Sequence, residues 1–297
     1  MSNRIRLALQ KSGRLSEDSF DLLARSGIKI RRHKDQLFCH SENFPLDVLL
    51  VRDDDIPSLI MEQVCDFGIV GLNVLQEVSL SQEAKDYTES VDMVHKLNFG
   101  FCRLSIAVPN DYTYTHIKDL AHKSIATTYP HLLQHYLAQH KVEAKSINLT
   151  GSIEIAPRLG IADAICDLVS TGGTLEANHL KEVETILHSQ ALLIKSKPAL
   201  DAERQKTADI FVRRLQGVLL ASESKYIMLH APKDKLKQIV EILPGVEHPT
   251  LMTLEGDQSK VVVHAVCGES VFWETLEALK EAGASSILVL PVEKMMM

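Results

Sequence analysis

Short apolar runs alternate with amphipathic stretches along most of the chain, and glycine or proline marks many of the joins. Ile5 to Leu9, Leu46 to Val51 and Phe67 to Gly71 read as buried strands: each is short, and its apolar residues run on without a polar partner at every second position. Between them the period lengthens. A helix begins near Ser16, carries Phe20, Leu22 and Leu23, and stops at Gly27. Ile56 to Val64 predicts a second helix with Pro57 in its first turn, where a missing N–H costs nothing. Asn73 to Val78 starts a third. Strands separated by helices predict a mainly parallel sheet with helices on both faces.

The same grammar repeats. Arg103 to Val108, Ser124 to Thr127, Ser146 to Leu149 and Ala164 to Val169 predict strands, His131 to His140 and Ala156 to Ile161 helices, with a further helix from about Leu175. The two units also echo each other: Asp55-Ile56 then Cys65-Asp66 and Gly71 in the first, Glu154-Ile155 then Cys166-Asp167 and Gly172-Gly173 in the second. This arrangement predicts two similar α/β lobes facing across a cleft. The polar stretch Ser196 to Lys206 breaks the pattern, and a helix from about Thr207 to Ser222 follows. The remainder reads as strand (Tyr226 to Ala231), helix (Lys233 to Leu243), two strands (Pro249 to Leu254, Lys260 to Val266), helix (Ser270 to Glu281) and strand (Ser285 to Leu290). That βαββαβ order is ferredoxin-like and suits a small regulatory or assembly domain. The expected division is 1–100 with 180–222 as the first lobe, 101–179 as the second, and 225–297 as the C-terminal domain.

Composition narrows the class. A net charge of −7 argues against a general grip on nucleic acid, which needs a basic surface. Cys39, Cys65, Cys102, Cys166 and Cys267 are scattered and odd in number, which excludes zinc spacing and disfavours a disulfide framework. The N-terminal residues lack a signal-peptide core, and no apolar run reaches the roughly 18 residues of a membrane span. The expectation is a cytoplasmic protein without membrane or nucleic-acid partners.

The sharpest chemistry lies in IADAICDLVSTGGTL, Ile161 to Leu175. If Asp163 to Val169 is a strand, Asp163 and Asp167 share one face by period two. The chain then enters Ser170-Thr171-Gly172-Gly173-Thr174 and a helix. Glycines let backbone N–H groups converge, hydroxyls add donors, and a helix start adds partial positive charge. This is a cradle for a phosphate monoester, and the carboxylates beside it suit ribose hydroxyls, as in a ribose 5-phosphate. An ordinary strand-to-helix turn is the alternative on spacing alone.

The acidic residue ahead of Thr-Gly-Gly-Thr resembles the phosphoribosyl-pyrophosphate motif of phosphoribosyltransferases. More specifically, GSIEIAPRLGIADAICDLVSTGGTLEANHL (Gly151 to Leu180) resembles the signature of the ATP phosphoribosyltransferase family, which opens histidine biosynthesis. LALQKSGRL (Leu7 to Leu15), VRDDDIP (Val51 to Pro57) and CDFGIVGLNVL (Cys65 to Leu75) are similar to its first lobe. YIMLHAP (Tyr226 to Pro232), LPGVEHPT (Leu243 to Thr250) and GASSILVLPVEKMM (Gly283 to Met296) are similar to the C-terminal domain of its long form.

The resemblance implies two periplasmic-binding-protein-like α/β lobes around a cleft, a ferredoxin-like regulatory domain, and Mg²⁺-assisted joining of ATP to phosphoribosyl pyrophosphate. It implies that Asp167 orients the ribose, with Asp163 a further candidate, while Ser170, Thr171, Gly172, Gly173 and Thr174 hold the 5-phosphate. Lys11 and Arg14 then stabilise departing pyrophosphate, the alternative being a solvated loop pair. Arg52, Asp66, Gly71 and Glu154 are further cleft candidates; for Arg52 the competing role is to partner Asp53-Asp54-Asp55, itself read as helix-start charge rather than a metal cluster. The family also implies L-histidine as allosteric inhibitor and a hexamer with a dimer form; His230, Thr250, Ser285 and Ser286 are the candidate histidine contacts. Metal ligands stay unassigned. The basic run Lys29, Arg31, Arg32, His33 and Lys34 reads as a solvated connection.

Overall fold

The computed structural model describes residues 3–32, 36–81, 89–243, 248–268 and 273–296. His33, Lys34 and the expected helix start at Ser270 lie outside them. The chain divides into two compact units, Met1–Asp21 with Ile28–Thr207, and Leu22–Gly27 with Ala208–Met297.

The first unit holds two sheets. One runs in the order Phe38–His40, Leu46–Val51, Ile5–Gln10, Phe67–Gly71, Ala191–Ser196, Val91–Lys96. Its three middle-left strands are parallel, as the strand–helix alternation requires. The flanking pairs are antiparallel, so the expected parallel sheet is in fact mixed. Ile56, Ile60, Val70, Val74, Leu192 and Ile194 pack one face. The helix expected over Ile56 to Val64 ends earlier, as Ile56–Met61, because Gln63 takes a positive φ of 59°.

The second sheet runs Leu180–Ser189, Cys102–Pro109, Ala164–Val169, Ser124–Thr127, Lys145–Asn148. Alternation sets its two faces. Leu104, Ile106 and Val108 meet Leu133 and Leu137 of the helix Pro130–Gln139, while Ala107, Ala126 and Ile165 face the opposite way onto Ile153 and Leu175. Two expectations need correction here. Residues 180–189 belong to this sheet, paired antiparallel with Cys102–Pro109, and not to the first lobe; the chain crosses back only at Ala191. Ala156 to Ile161 is a string of turns, not a helix: a bond from Ile161 N to Ala156 O, five residues back, closes it, and Gly160 has φ +68°. The left-handed Gly160 ends any helical run before a further turn can form.

In the second unit Thr250–Thr253, Lys260–Gly268, Ser224–Pro232 and Ser285–Pro291 form an antiparallel sheet in that order. Leu236–Ile242 and Trp273–Glu281 are its helices, with Ile227, Leu229, Val263 and Leu279 in the core. This is the expected ferredoxin-like βαββαβ topology. All five cysteines are free, and no helix among the described residues is long and apolar enough to cross a membrane.

Candidate functional site

The strand Ala164–Val169 delivers Asp167 and then turns through Ser170 to Thr174 into the helix Gly173–Ala177. Gly172 makes that turn with φ +89°, a left-handed conformation that a side chain would strain. The helix has five residues, so what it offers an anion is its free N–H groups rather than a long dipole. Arg14, Glu154, Asp167 and Ser170 to Leu175 line a cavity of about 370 Å³.

Arg14 comes from the other lobe. It follows the strand Ile5–Gln10, and its Nη1 donates to Ser170 Oγ at 2.7 Å. The loop is held from behind by a residue with no motif signal, Arg103, whose Nη1 donates to Ser170 O at 3.1 Å while its other nitrogens bind Glu182. Asp167 Oδ1 accepts from Leu168 N at 2.7 Å. Burial pushes its carboxyl above the usual range; the Leu168 N–H opposes this, nearby Glu154 adds to it, and Arg14 opposes it.

Other candidates divide sharply. Glu154 sits in the 3-10 turn Ile153–Ile155 and joins the cavity wall. Gly71 ends its strand where a Cβ would clash with Asn73 Oδ1. That closeness lets Asn73 link the lobes: its Nδ2 donates to Tyr129 OH (3.0 Å), and its Oδ1 accepts from Ser189 Oγ (2.8 Å). Glu77, on the same helix Leu72–Ser79, accepts the N–H groups of His131 and Leu132 at 2.8 and 2.9 Å, capping a helix of the opposite lobe. Lys11 is exposed at the first strand's end, where its N donates to Val51 O. Arg52 is exposed and pulls Asp54 down against the stronger effects of burial and Asp55.

Asp163 and Asp66 are not brought to the cavity. Asp163 precedes its strand, at the end remote from the loop, and accepts from Ser124 N and Oγ at 2.8 and 2.7 Å. Those bonds, the backbone one first, hold its carboxyl below the usual range. Asp66 also precedes its strand and is buried; Arg204 Nη2 binds both its oxygens at 2.6 and 2.7 Å, and Arg6 N donates at 2.7 Å. Both acids are therefore structural anchors.

In the second unit His230 pairs with Ser285 across adjacent strands, next to a register shift, and Ser286 takes φ +50°. Thr250 pairs with His264 at the other side of the sheet. His230 lies on the face opposite the helices, as does Tyr226, whose hydroxyl meets His264 Nδ1 at 2.5 Å.

Fold and site together define a two-lobed α/β ligand-binding architecture joined to a ferredoxin-like domain. Residues 52–217 match the ATP phosphoribosyltransferase (HisG) family and residues 221–294 the HisG C-terminal domain family. The chain belongs to the ATP phosphoribosyltransferase family, in its long form. It is similar to a chain of the ATP phosphoribosyl transferase (HisG:HisZ) complex from Thermotoga maritima, at 26% identity over 73% of this chain and 98% of that one, with a TM-score of 0.59. A substrate binding protein of an amino acid ABC transporter aligns at 14% identity over 72% and 92% of the two chains, TM-score 0.47. Family membership supports ATP phosphoribosyltransferase activity and a role in histidine biosynthesis.

Proposed function

We propose that the cleft joins N1 of ATP to C1 of phosphoribosyl pyrophosphate, giving N1-(5-phosphoribosyl)-ATP and pyrophosphate. The observation that carries this is Arg14 reaching from one lobe to Ser170 of the glycine loop in the other, beside a half-buried Asp167. The loop Ser170 to Thr174 takes the 5-phosphate on backbone N–H groups and hydroxyls. Asp167 accepts hydrogen bonds from ribose hydroxyls. As the C1–O bond breaks, negative charge gathers on the leaving pyrophosphate and positive charge on C1; Arg14 faces the former with a planar fork of donors, and Lys11 adds a point charge. The N1–C1 bond forms with no covalent enzyme intermediate, so catalysis is positioning plus electrostatics.

Mg²⁺ fits this site as an ion shared with substrate oxygens. Among the described residues no group of three or more His, Cys, Asp or Glu could hold it alone, and Mg²⁺ is commonly bound by one or two carboxylates plus substrate phosphates. Asp167 and Glu154 are the carboxylates that line the cavity. When bound, the ion neutralises pyrophosphate charge.

The ferredoxin-like domain is the proposed seat of L-histidine inhibition, with His230 and Ser285 paired, Ser286 beside them and Thr250 on the opposite edge strand, in an assembly that exchanges between dimer and hexamer. The test is to mix protein, ATP, phosphoribosyl pyrophosphate and Mg²⁺ and follow the ultraviolet change of N1-substituted adenine. Product should form, and Asp167→Asn should lower kcat/KM for phosphoribosyl pyrophosphate by about a hundredfold, the scale of one charge-assisted contact. Wild-type kinetics in that variant would refute the role of Asp167. His230→Ala should raise the histidine concentration needed for half-inhibition.

A further inference from the structure

One carboxylate in the cleft has no part in the phosphate loop. Asp53 opens the 3-10 turn Asp53–Asp55, just beyond the strand Leu46–Val51. That strand runs parallel to Ile5–Gln10, with Gln10 opposite Val51 and Lys11 N bonded to Val51 O at 2.8 Å. Asp53 and Arg14 thus emerge from the same sheet edge. Asp53 Oδ1 is buried and has no hydrogen-bond partner. The cation that acts on this carboxylate is Arg14; Asp54 repels it from the same turn. From the other lobe, Tyr129 and Cys102 face it, and both feel its charge. Arg14 is thus hydrogen-bonded to Ser170 Oγ of the loop and feels the charge of a lobe-one carboxylate that emerges beside it. A guanidinium has five N–H donors, so Asp53 can keep Arg14 in place while the face turned to the loop changes partner.

We propose that Asp53 is a positioning residue that holds Arg14 at the mouth of the glycine loop, so that a diphosphate group replaces Ser170 as its partner without Arg14 having to be reordered. This deepens the phosphoribosyl-pyrophosphate reading and rests on it for the identity of the diphosphate. Preorganisation of this kind cuts the entropic cost of binding and fixes the charge where the leaving group needs it. It also brings a pH dependence. Burial and Asp54 push the Asp53 carboxyl up to about 6, against the pull of Arg14. Burial pushes the Tyr129 hydroxyl and the Cys102 thiol upward as well, so both stay neutral in this range and do not compete for Arg14. As pH falls through 6, Asp53 takes a proton and Arg14 loses its hold.

The experiment is a double-mutant cycle on the full-length chain, Asp53→Asn and Arg14→Ala alone and combined, read by calorimetric binding of magnesium pyrophosphate and by steady-state kinetics. Asp53→Asn should weaken pyrophosphate binding and lower kcat by about tenfold, with the acid limb near pH 6 removed, and Asp53→Glu should restore both. In the Arg14→Ala background the Asp53 change should have no further effect on pyrophosphate binding. Tighter binding by Asp53→Asn would mean that the carboxylate only repels anions, and an undiminished effect without Arg14 would mean that it acts elsewhere; either overturns the proposal. If Asp53→Asn does not fold, wild type and Arg14→Ala suffice: the acid weakening of pyrophosphate binding must be larger in wild type, since the ligand's own titration cancels. A wild type that binds pyrophosphate but forms no product would sink the transferase reading and leave the Asp53 test intact.

Discussion

Asp66 and Asp167 follow a cysteine in matching contexts, yet they stand at different places along their strands. Asp167 is the fourth residue of Ala164–Val169, whereas Asp66 lies before Phe67–Gly71 begins. One residue type in one local pattern thus serves a cavity in one lobe and an ion pair in the other. Sequence could name both acids; only register separates them. Breaking a buried pair leaves a charge without compensation, so Asp66→Asn should cost roughly 3–5 kcal/mol in denaturant unfolding while kcat per folded molecule changes little. Asp53 behaves in the opposite sense. Its folded pKa, about 6, exceeds the unfolded value, so its ionisation opposes folding. That cost is absent well below pH 4 and is fully present above pH 6. Asp53→Asn should therefore raise Tm at pH 7.5, by a stabilisation on the order of 1–3 kcal/mol, and leave it nearly unchanged at pH 4. A Tm shift of equal size at both pH values would contradict this account.

At the scale of elements, continuous apolar runs were the easiest to read. Leu46–Val51, Phe67–Gly71, Ser124–Thr127 and Ala164–Val169 stand where their patterns put them. Leu180–Ser189 was missed because two register shifts, at Glu182/Glu184 and Thr185/Leu187, break its alternation. The loop's glycines were legible; Arg103, its support, was not, since nothing local marks a long-range bond to a backbone carbonyl. Gly172→Ala should be costly for the left-handed turn, by about 1–2 kcal/mol, and should raise KM for phosphoribosyl pyrophosphate. Glu77 is a cap supplied by a different lobe. Glu77→Ala should cost about 1 kcal/mol and speed hydrogen exchange at His131 and Leu132 while amides of the strand Leu46–Val51 in the other lobe keep their protection.

Over the whole molecule, the division into catalytic lobes and a terminal ferredoxin-like domain was readable from the order of elements, but its boundaries were not. The chain enters the second lobe once and leaves it once, whereas the first unit's other sheet is completed by Ala191–Ser196, inserted between Phe67–Gly71 and Val91–Lys96. If histidine binding at the C-terminal domain weakens phosphoribosyl-pyrophosphate binding, linkage requires the substrate to weaken histidine binding by the same factor. Paired calorimetric titrations, each ligand in the presence and absence of the other, should give matching ratios; unequal ratios would exclude a simple two-site equilibrium.

That late-arriving strand has a consequence for how the protein is made. A chain growing from its N-terminus has the second lobe's strands, Cys102 to Ser189, available as one uninterrupted stretch, while the first sheet still lacks a member in its middle. The half that carries Arg14 must stay open along the Phe67–Gly71 edge until residues 191–196 emerge. Nascent chains halted just after Ser189 should therefore protect the glycine-loop lobe from protease before the lobe that will hold Arg14, so the two sides of the cleft are born in the reverse of their order in the sequence.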